Sequence, residues 1–399
     1  MPTNGSAHQP RRVAVIGAGI LGTCVGWHLA RAGTEVVFLD AAEPGRGVTD
    51  WSFSWVNASN KTIRKSYFDL NVAGIAAHRE LAATIGPDTW WYPTGHLRWT
   101  GNAEAEAKLL DLAALLADWG YRVQLCTGAQ ARSALEPGIA VPDDAQVVFY
   151  PDEAWVHGRN LVTRLIQDAV TAGARHRFGA AVAEIGTDAD GHVRSVVLSD
   201  AAGDVDRLDV DAVVNAAGPD AWRIAELVAR RLPMLYEPGA VMRLRTAEVP
   251  ISRAMHAPHV ELRPDGDTSV VVHSREIDAL IDTGEGHQAR AGGPADVGKD
   301  ARVPKDPAEL GRLLHAAARA AVPALGDAEV VQTRVSNRPI PVDGFPSVGA
   351  VPSIPGYFEA VSHSGITLGP VLGRLLAEEI LTGRRGELLA DFGPERFSV

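Results

Sequence analysis

Three glycines, Gly17, Gly19 and Gly22, stand at GxGxxG spacing directly after the apolar run 13–16. In this pattern the first glycine permits a tight turn and the second lets backbone approach a pyrophosphate. The third lets the following helix lie close on the strand. An amphipathic stretch, 23–32, follows, with Gly33 placed to stop a helix, and a second apolar strand, 35–40, ends in an acid. That acid, Asp40, stands eighteen positions past Gly22, where a carboxylate accepts from a ribose hydroxyl. The helix start offers unpaired N–H groups to phosphate. The bare glycine spacing also fits an ordinary βαβ turn. The full order of strand, turn, helix, strand and acid predicts dinucleotide binding on Gly17, Gly19, Ile20, Leu21, Gly22 and Asp40. Thr49 and Ser52 lie in the polar loop 41–60, where a long nucleotide would extend beyond its adenosine half.

Two late segments carry further chemistry. One runs from Arg338 to Gly349 as RPIPVDGFPSVG, and the other is HSGITLGP, His363 to Pro370, leading into a helix over 371–381. Read from the residues alone, Arg338 is a structural ion-pair partner for a carboxylate such as Asp343; for a substrate-binding role Arg334 is its nearest competitor. A helix beginning near Thr367 presents free N–H groups, worth about 0.3–1 kcal/mol toward an anion at a surface and about 2 when partly buried. Ser364 alternatively caps that helix. His363 is a candidate base.

Taken in order, GAGILG at 17–22, VVNAAGP at 213–219 and the two late segments resemble the flavin-dependent D-amino-acid oxidase family. The glycine oxidase and sarcosine oxidase branches are the nearest, and the resemblance spans essentially the whole chain. It implies an α/β (α+β overall) architecture: a glutathione-reductase-like, Rossmann-type FAD domain with an inserted antiparallel-sheet substrate domain. The implied division is 1–90, 147–232 and 335–399 for FAD, with 91–146 and 233–334 for substrate. It also implies that Ala216 to Gly218 cover the adenine side and that Gly365, Ile366, Thr367 and Leu368 donate to the flavin ring. Arg338 then holds a substrate carboxylate, which a guanidinium does bidentately. Some sarcosine oxidase relatives bind flavin through a cysteine just before the late motif. Here 335–337 are Val, Ser and Asn, so FAD is expected to be noncovalent.

The activity so implied is oxidation of the C–N bond of an amino acid or N-substituted glycine. Hydride passes from the α-carbon to flavin N5, the imine hydrolyses, and dioxygen returns as hydrogen peroxide. The departures around 50–60 suggest a specialised, biosynthetic substrate such as an N-alkyl or N-carboxymethyl amine. Stereochemistry, N-substitution and oligomeric state stay open. The alternatives are a dehydrogenase feeding a quinone or protein carrier, an NAD(P)-dependent dehydrogenase, and a noncatalytic flavin-binding protein.

The elements that must position these residues alternate along the chain. Helices are expected over 61–83, 103–119, 160–172, 221–230 and 310–321, and strands over 146–151, 179–185 and 330–337. A small meander is expected over 193–198 and 209–214, and short alternating strands with a hairpin at 264–267 fill 241–272. Residues 282–307 read as a surface loop. Trp51, Phe53 and Trp55 either wall the flavin or form core between domains. Tyr236, Arg243, His256 and His259 are candidates for the substrate cavity, though each fits a structural role better.

With 399 residues, two domains are the natural expectation. A net charge of −11 argues against nucleic acid or an anionic membrane as partner. Two cysteines, Cys24 and Cys126, give neither a disulfide framework nor a metal signature, and no metal is expected. No apolar segment reaches spanning length, and the chain reads as cytoplasmic.

Overall fold

The structure, a computed structural model, describes residues 10–281 and 306–397. Most of the loop expected at 282–307 lies outside the described residues. Its last two residues, Asp306 and Pro307, instead start the helix Pro307–Ala321, with Asp306 as side-chain cap.

The expected first strand, helix and second strand form at Arg12–Ile16, Ile20–Arg31 and Glu35–Asp40. They nucleate a six-stranded sheet in the order Ser347–Ala350, Tyr357–Val361, Ala212–Asn215, Arg12–Ile16, Glu35–Asp40, Arg175–Phe178. Neighbours are parallel except at the Ser347–Ala350 edge. Strands of such a sheet are buried on both faces, which is why 13–16 and 212–214 are apolar without alternation. The meander is corrected here. Ala212–Asn215 joins the parallel sheet, while Ala180–Thr187, Val193–Asp200 and Val205–Asp209 make a separate antiparallel sheet.

A second, eight-stranded sheet runs Glu329–Asn337, Pro238–Arg245, Ser269–His273, Val260–Pro264, Ala254–Ala257, His96–Arg98, Gln146–Tyr150, Gln124–Thr127. The hairpin at 264–267 is present, with Gly266 at φ +81°. The strand Gln146–Tyr150 pairs here, although the sequence division groups 147–232 with the nucleotide part. An apolar run such as QVVFY does not name its partner strand. Trp55–Val56 and Trp91–Tyr92 flank Ala154–Val156 in a small sheet that bridges the two larger ones in sequence.

Other helices also differ from expectation: the one expected over 221–230 ends at Glu226, its last residues forming turns. The helix expected from 61 begins at Lys65 and runs Lys65–Ile85, because the preceding residues are held in turns. The last helix, Gly365–Thr382, starts two residues before the expected Thr367 and contains Pro370. Pro370 has no N–H for the carbonyl of Ile366, and His78 Nε2 takes that carbonyl at 2.7 Å. Burial lowers the His78 pKa to about 4, so the ring is neutral. No helix among the described residues is long and apolar enough to cross a membrane.

Candidate active site

At the first glycine turn, Gly17 has φ +102°, and a Cβ there would stand 2.3 Å from the Ala216 carbonyl oxygen. A Cβ on Gly22 would meet the Gly17 carbonyl oxygen at 2.0 Å. These glycines are therefore required by close packing of the turn on both the first helix and the residues after Asn215. Ala216 donates its N–H to the Ile16 carbonyl at 2.8 Å, and Gly218 turns away at φ +59°.

Gly19 begins the first helix with no side-chain cap. The Ile20 amide donates to Thr49 Oγ1 at 3.0 Å, leaving the Leu21 and Gly22 amides without an internal helix acceptor. Asp40 is more occupied than its expected ribose role requires. Its Oδ2 accepts from the Ala18 amide at 2.7 Å and its Oδ1 from Ala42 at 2.8 Å. Burial raises its pKa despite these bonds. Ser52 shares a 2.9 Å hydrogen bond with Ser54.

The start of the last helix is drawn onto this first helix. A Cβ on Gly369 would lie 2.8 Å from Ile20 Cγ1, and one on Gly373 would lie 2.5 Å from Cys24 Cβ. Cys24 is thus a packing residue, its thiol pKa raised by burial. Ser364 sits at the N-cap position but makes no capping bond; its hydroxyl pairs with Tyr67 at 2.7 Å. The expectation of a serine cap is corrected by that tyrosine. Thr367 is also engaged, donating to the Trp55 carbonyl and accepting from the Asn57 amide, each at 3.2 Å. Leu368 is fully buried. Two helix starts without capping bonds, Gly19 and Ser364, therefore lie on helices in contact, a cradle suited to anionic parts of one ligand.

Beside the second helix start lies an inner cavity. Trp51, Phe53, Trp55 and Lys61 line it from the loop after the second strand, and Arg338, His363, Ile366 and Thr367 from the late segments. The eight-stranded sheet contributes His256, Glu261 and His273. The three aromatics also pack as core: Trp51 on Val241 and Val271, Trp55 on Trp155 and Ala254. The core role suggested for them is met, and the same side chains face the cavity.

Arg338 is half-buried, and its ion-pair partners differ from the expected Asp343. Nη1 donates to Glu237 Oε1 at 3.0 Å and Nη2 to Asp278 Oδ2. Asp343 instead pairs with Arg396 at 2.7 Å. Arg334 lies over Trp51. From Asp278 a ladder continues to His273 Nε2 at 2.8 Å, then from His273 Nδ1 to Glu261, then to His256 Nε2 at 3.3 Å. His256 Nδ1 reaches His96 Nε2 at 2.6 Å. Burial works against charge on His273, but Glu261 and Asp278 on either side raise its pKa to about 9. Burial likewise opposes the Glu261 carboxylate, yet His273 and His256 hold it well below the usual range.

His363 has its pKa held well below the usual histidine value by burial, then by Lys61, Arg338, Arg275 and His273. Lys61 is 8% exposed. Its pKa is lowered to about 8 by burial and by Arg275, with Glu153 opposing. Glu153 is itself buried. It accepts from the Ala58 and Ser59 amides, Trp55 Nε1 and the Tyr121 hydroxyl, fixing the turn ahead of Lys61.

The structure does not bring three of the expected residues to the inner cavity lining. Tyr236 is 36% exposed. Arg243 pairs with Asp50 at 2.7 Å and Asp265 at 3.3 Å, tying the loop after the second strand to the sheet. His259 pairs with Glu276 on the surface. Sequence reading missed Lys61, Glu261, His273, Asp278 and Glu153. The available signal was a charged or imidazole side chain within apolar strands, as in VELRP and SVVVH.

Residues 12–379 match the DAO family, described as FAD dependent oxidoreductase. The chain is 26% identical to glycine oxidase of Geobacillus kaustophilus over 393 residues, covering 96% of this chain and 95% of that one. It is 22% identical to an opine oxidase subunit of Agrobacterium tumefaciens over 395 residues, 96% of this chain and 97% of that one. The solved Geobacillus kaustophilus glycine oxidase shares the fold, with TM-score 0.77 and 22% identity over 96% of this chain and 98% of that one. The chain belongs to the DAO family of FAD-dependent oxidoreductases, with FAD as its cofactor.

Proposed function

We propose that this chain is an amine oxidase acting on the C–N bond of an amino acid or N-substituted glycine. The observation that carries the reading is Arg338, fixed by Glu237 and Asp278 in a cavity that also receives the start of the last helix. FAD fits the cradle. Gly17, Gly19, Leu21, Gly22 and the backbone at Ala216–Gly218 would hold its nucleotide half, with Asp40 and Thr49 bracing that turn. Gly365, Ile366 and Thr367 would hold its ring; the expected Leu368 amide is instead spent on the Ser364 carbonyl at 2.9 Å. Neither cysteine lines the cavity, which supports noncovalent binding. When bound, FAD supplies a two-electron acceptor for hydride from the carbon beside nitrogen.

The chain's own residues bind and orient. A guanidinium has five N–H donors. Glu237 takes one Nη1 donor and Asp278 one Nη2 donor, and Nη2 also lies 3.0 Å from His273 Nε2, so the Nε–H and the second Nη1–H are the donors that would meet a substrate carboxylate. Burial first, then Lys61, Arg338, Arg275 and His273, keeps His363 neutral, and the same surroundings lower the pKa of a substrate ammonium. The amine then enters with a free lone pair, and no strong base is required. His363 Nδ1 or Nε2 accepts a hydrogen bond from the amine N–H. The aromatic wall excludes water while the bond breaks. The imine hydrolyses to a 2-oxo acid and ammonia or an amine, and dioxygen leaves as hydrogen peroxide.

Purified protein should be yellow and release its flavin on acid precipitation. Anaerobic addition of glycine, sarcosine, D-amino acids or N-substituted glycines should bleach one of these mixtures, and air should restore the colour with stoichiometric peroxide. Bleaching that air fails to reverse, but a quinone does, would replace the oxidase with a dehydrogenase.

A further inference from the structure

The inner cavity adjoins a second, more open pocket. His256, Glu261 and Arg275 line both, and Arg98, Asn102 and Glu276 belong to the outer one. The charges there divide unevenly. Glu261 is shared by His256 and His273, Glu276 is taken by His259 at 2.7 Å, and Asp278 and Glu237 are taken by Arg338. Arg98, Arg275 and Lys61 have no carboxylate partner among the described residues. Lys61 is almost fully buried, and Glu153 acts on it only from beyond ion-pair distance, so a desolvated cation is left without a contact anion, which is unfavourable. The described residues thus present cations on both sides of the His256–Glu261 partition to which none of them offers a carboxylate at ion-pair distance.

We propose that the substrate carries a second carboxylate beyond its nitrogen, held by Arg275 and Arg98 in the outer pocket while Arg338 holds the first. This rests on the amine-oxidase reading above. The substrate class is then a secondary amine with acid groups on both arms, an N-(carboxyalkyl) amino acid. Guanidinium forks match a carboxylate in geometry, and the paired Glu261 and Glu276 at the same walls disfavour a group of higher charge. Lys61, next to Arg275, adds attraction without having to touch this group.

The test uses two probes on the FAD-loaded enzyme, N-(2-carboxyethyl)glycine and its amide N-(2-carbamoylethyl)glycine. They match in length and shape and differ by one charge. Anaerobic stopped-flow bleaching of the flavin gives the rate and the half-saturation concentration for each. The acid is expected to be preferred by about 30-fold, mainly through affinity, as a charge-assisted contact requires. Arg275→Ala and Arg98→Ala should each cut that ratio to about threefold, and Arg275→Lys should keep most of it. The ratio is taken within one preparation, so a partly folded variant does not distort it. Equal bleaching by acid and amide, or a ratio unmoved in both alanine variants, would overturn the inference. Bleaching by sarcosine or glycine but by neither probe would overturn it and leave the amine-oxidase reading standing. No bleaching by any amine would bring down both.

Discussion

Asp278 serves two cations at once, accepting from Arg338 Nη2 and from His273 Nε2. That makes it a positioning residue for the fork. Asp278→Asn should raise KM about tenfold with little change in kcat, because the carboxylate-binding plane loosens while the reacting atoms keep their geometry. Arg338→Ala should cost about 100- to 1000-fold in kcat/KM with flavin retained, the range for removing one partner of a buried charge pair. Lys61 gives a pH signature. It is charged below about 8 and neutral above, so affinity for an anionic substrate should fall by about tenfold as pH rises through that value. In Lys61→Met the alkaline limb of the kcat/KM profile should move to about 9, where His273 loses its proton. Arg338 was legible because it opens a recognisable motif. Lys61 was not, since the sequence reads as helix from that point and only Glu153, almost a hundred residues away, holds it in a turn.

At the scale of an element, the last helix keeps its start free because two neighbours occupy the groups that would close it. Tyr67 holds the Ser364 hydroxyl, and His78 replaces the N–H that Pro370 lacks. His78→Phe should leave the Ile366 carbonyl unpaired and destabilise the protein by about 1–3 kcal/mol. Adding Pro370→Ala supplies an N–H for that carbonyl, so the double variant should be more stable than the sum predicts. Denaturant unfolding of the four proteins in a double-mutant cycle measures this. Helix and strand periodicity revealed most elements within a few residues. It could not say which sheet took 146–150 or 212–215, because an apolar strand is compatible with any buried neighbour.

For the whole molecule, the decisive contact joins opposite ends of the sequence, the first helix on the last through Gly369 and Gly373. Gly373→Val places side-chain atoms where Cys24 already lies. The two helix starts should separate, and the flavin-to-protein absorbance ratio should fall severalfold while far-ultraviolet ellipticity stays near wild type. The glycine motif and the late motif each announced themselves in the sequence. Their meeting was implied only by resemblance, since spacing within either one carries no information about the other.

The strand order of the six-stranded sheet sets a timetable for synthesis. Once Arg12–Ile16 has left the ribosome, Ala212–Asn215 at its side and Tyr357–Val361 beyond emerge only some two hundred and three hundred and forty residues later. A nascent chain therefore carries half of a nucleotide cleft with nothing to close it, and its apolar flank needs shelter from aggregation. Prosthetic-group capture must then wait until the strand Tyr357–Val361 and the helix Gly365–Thr382 have emerged.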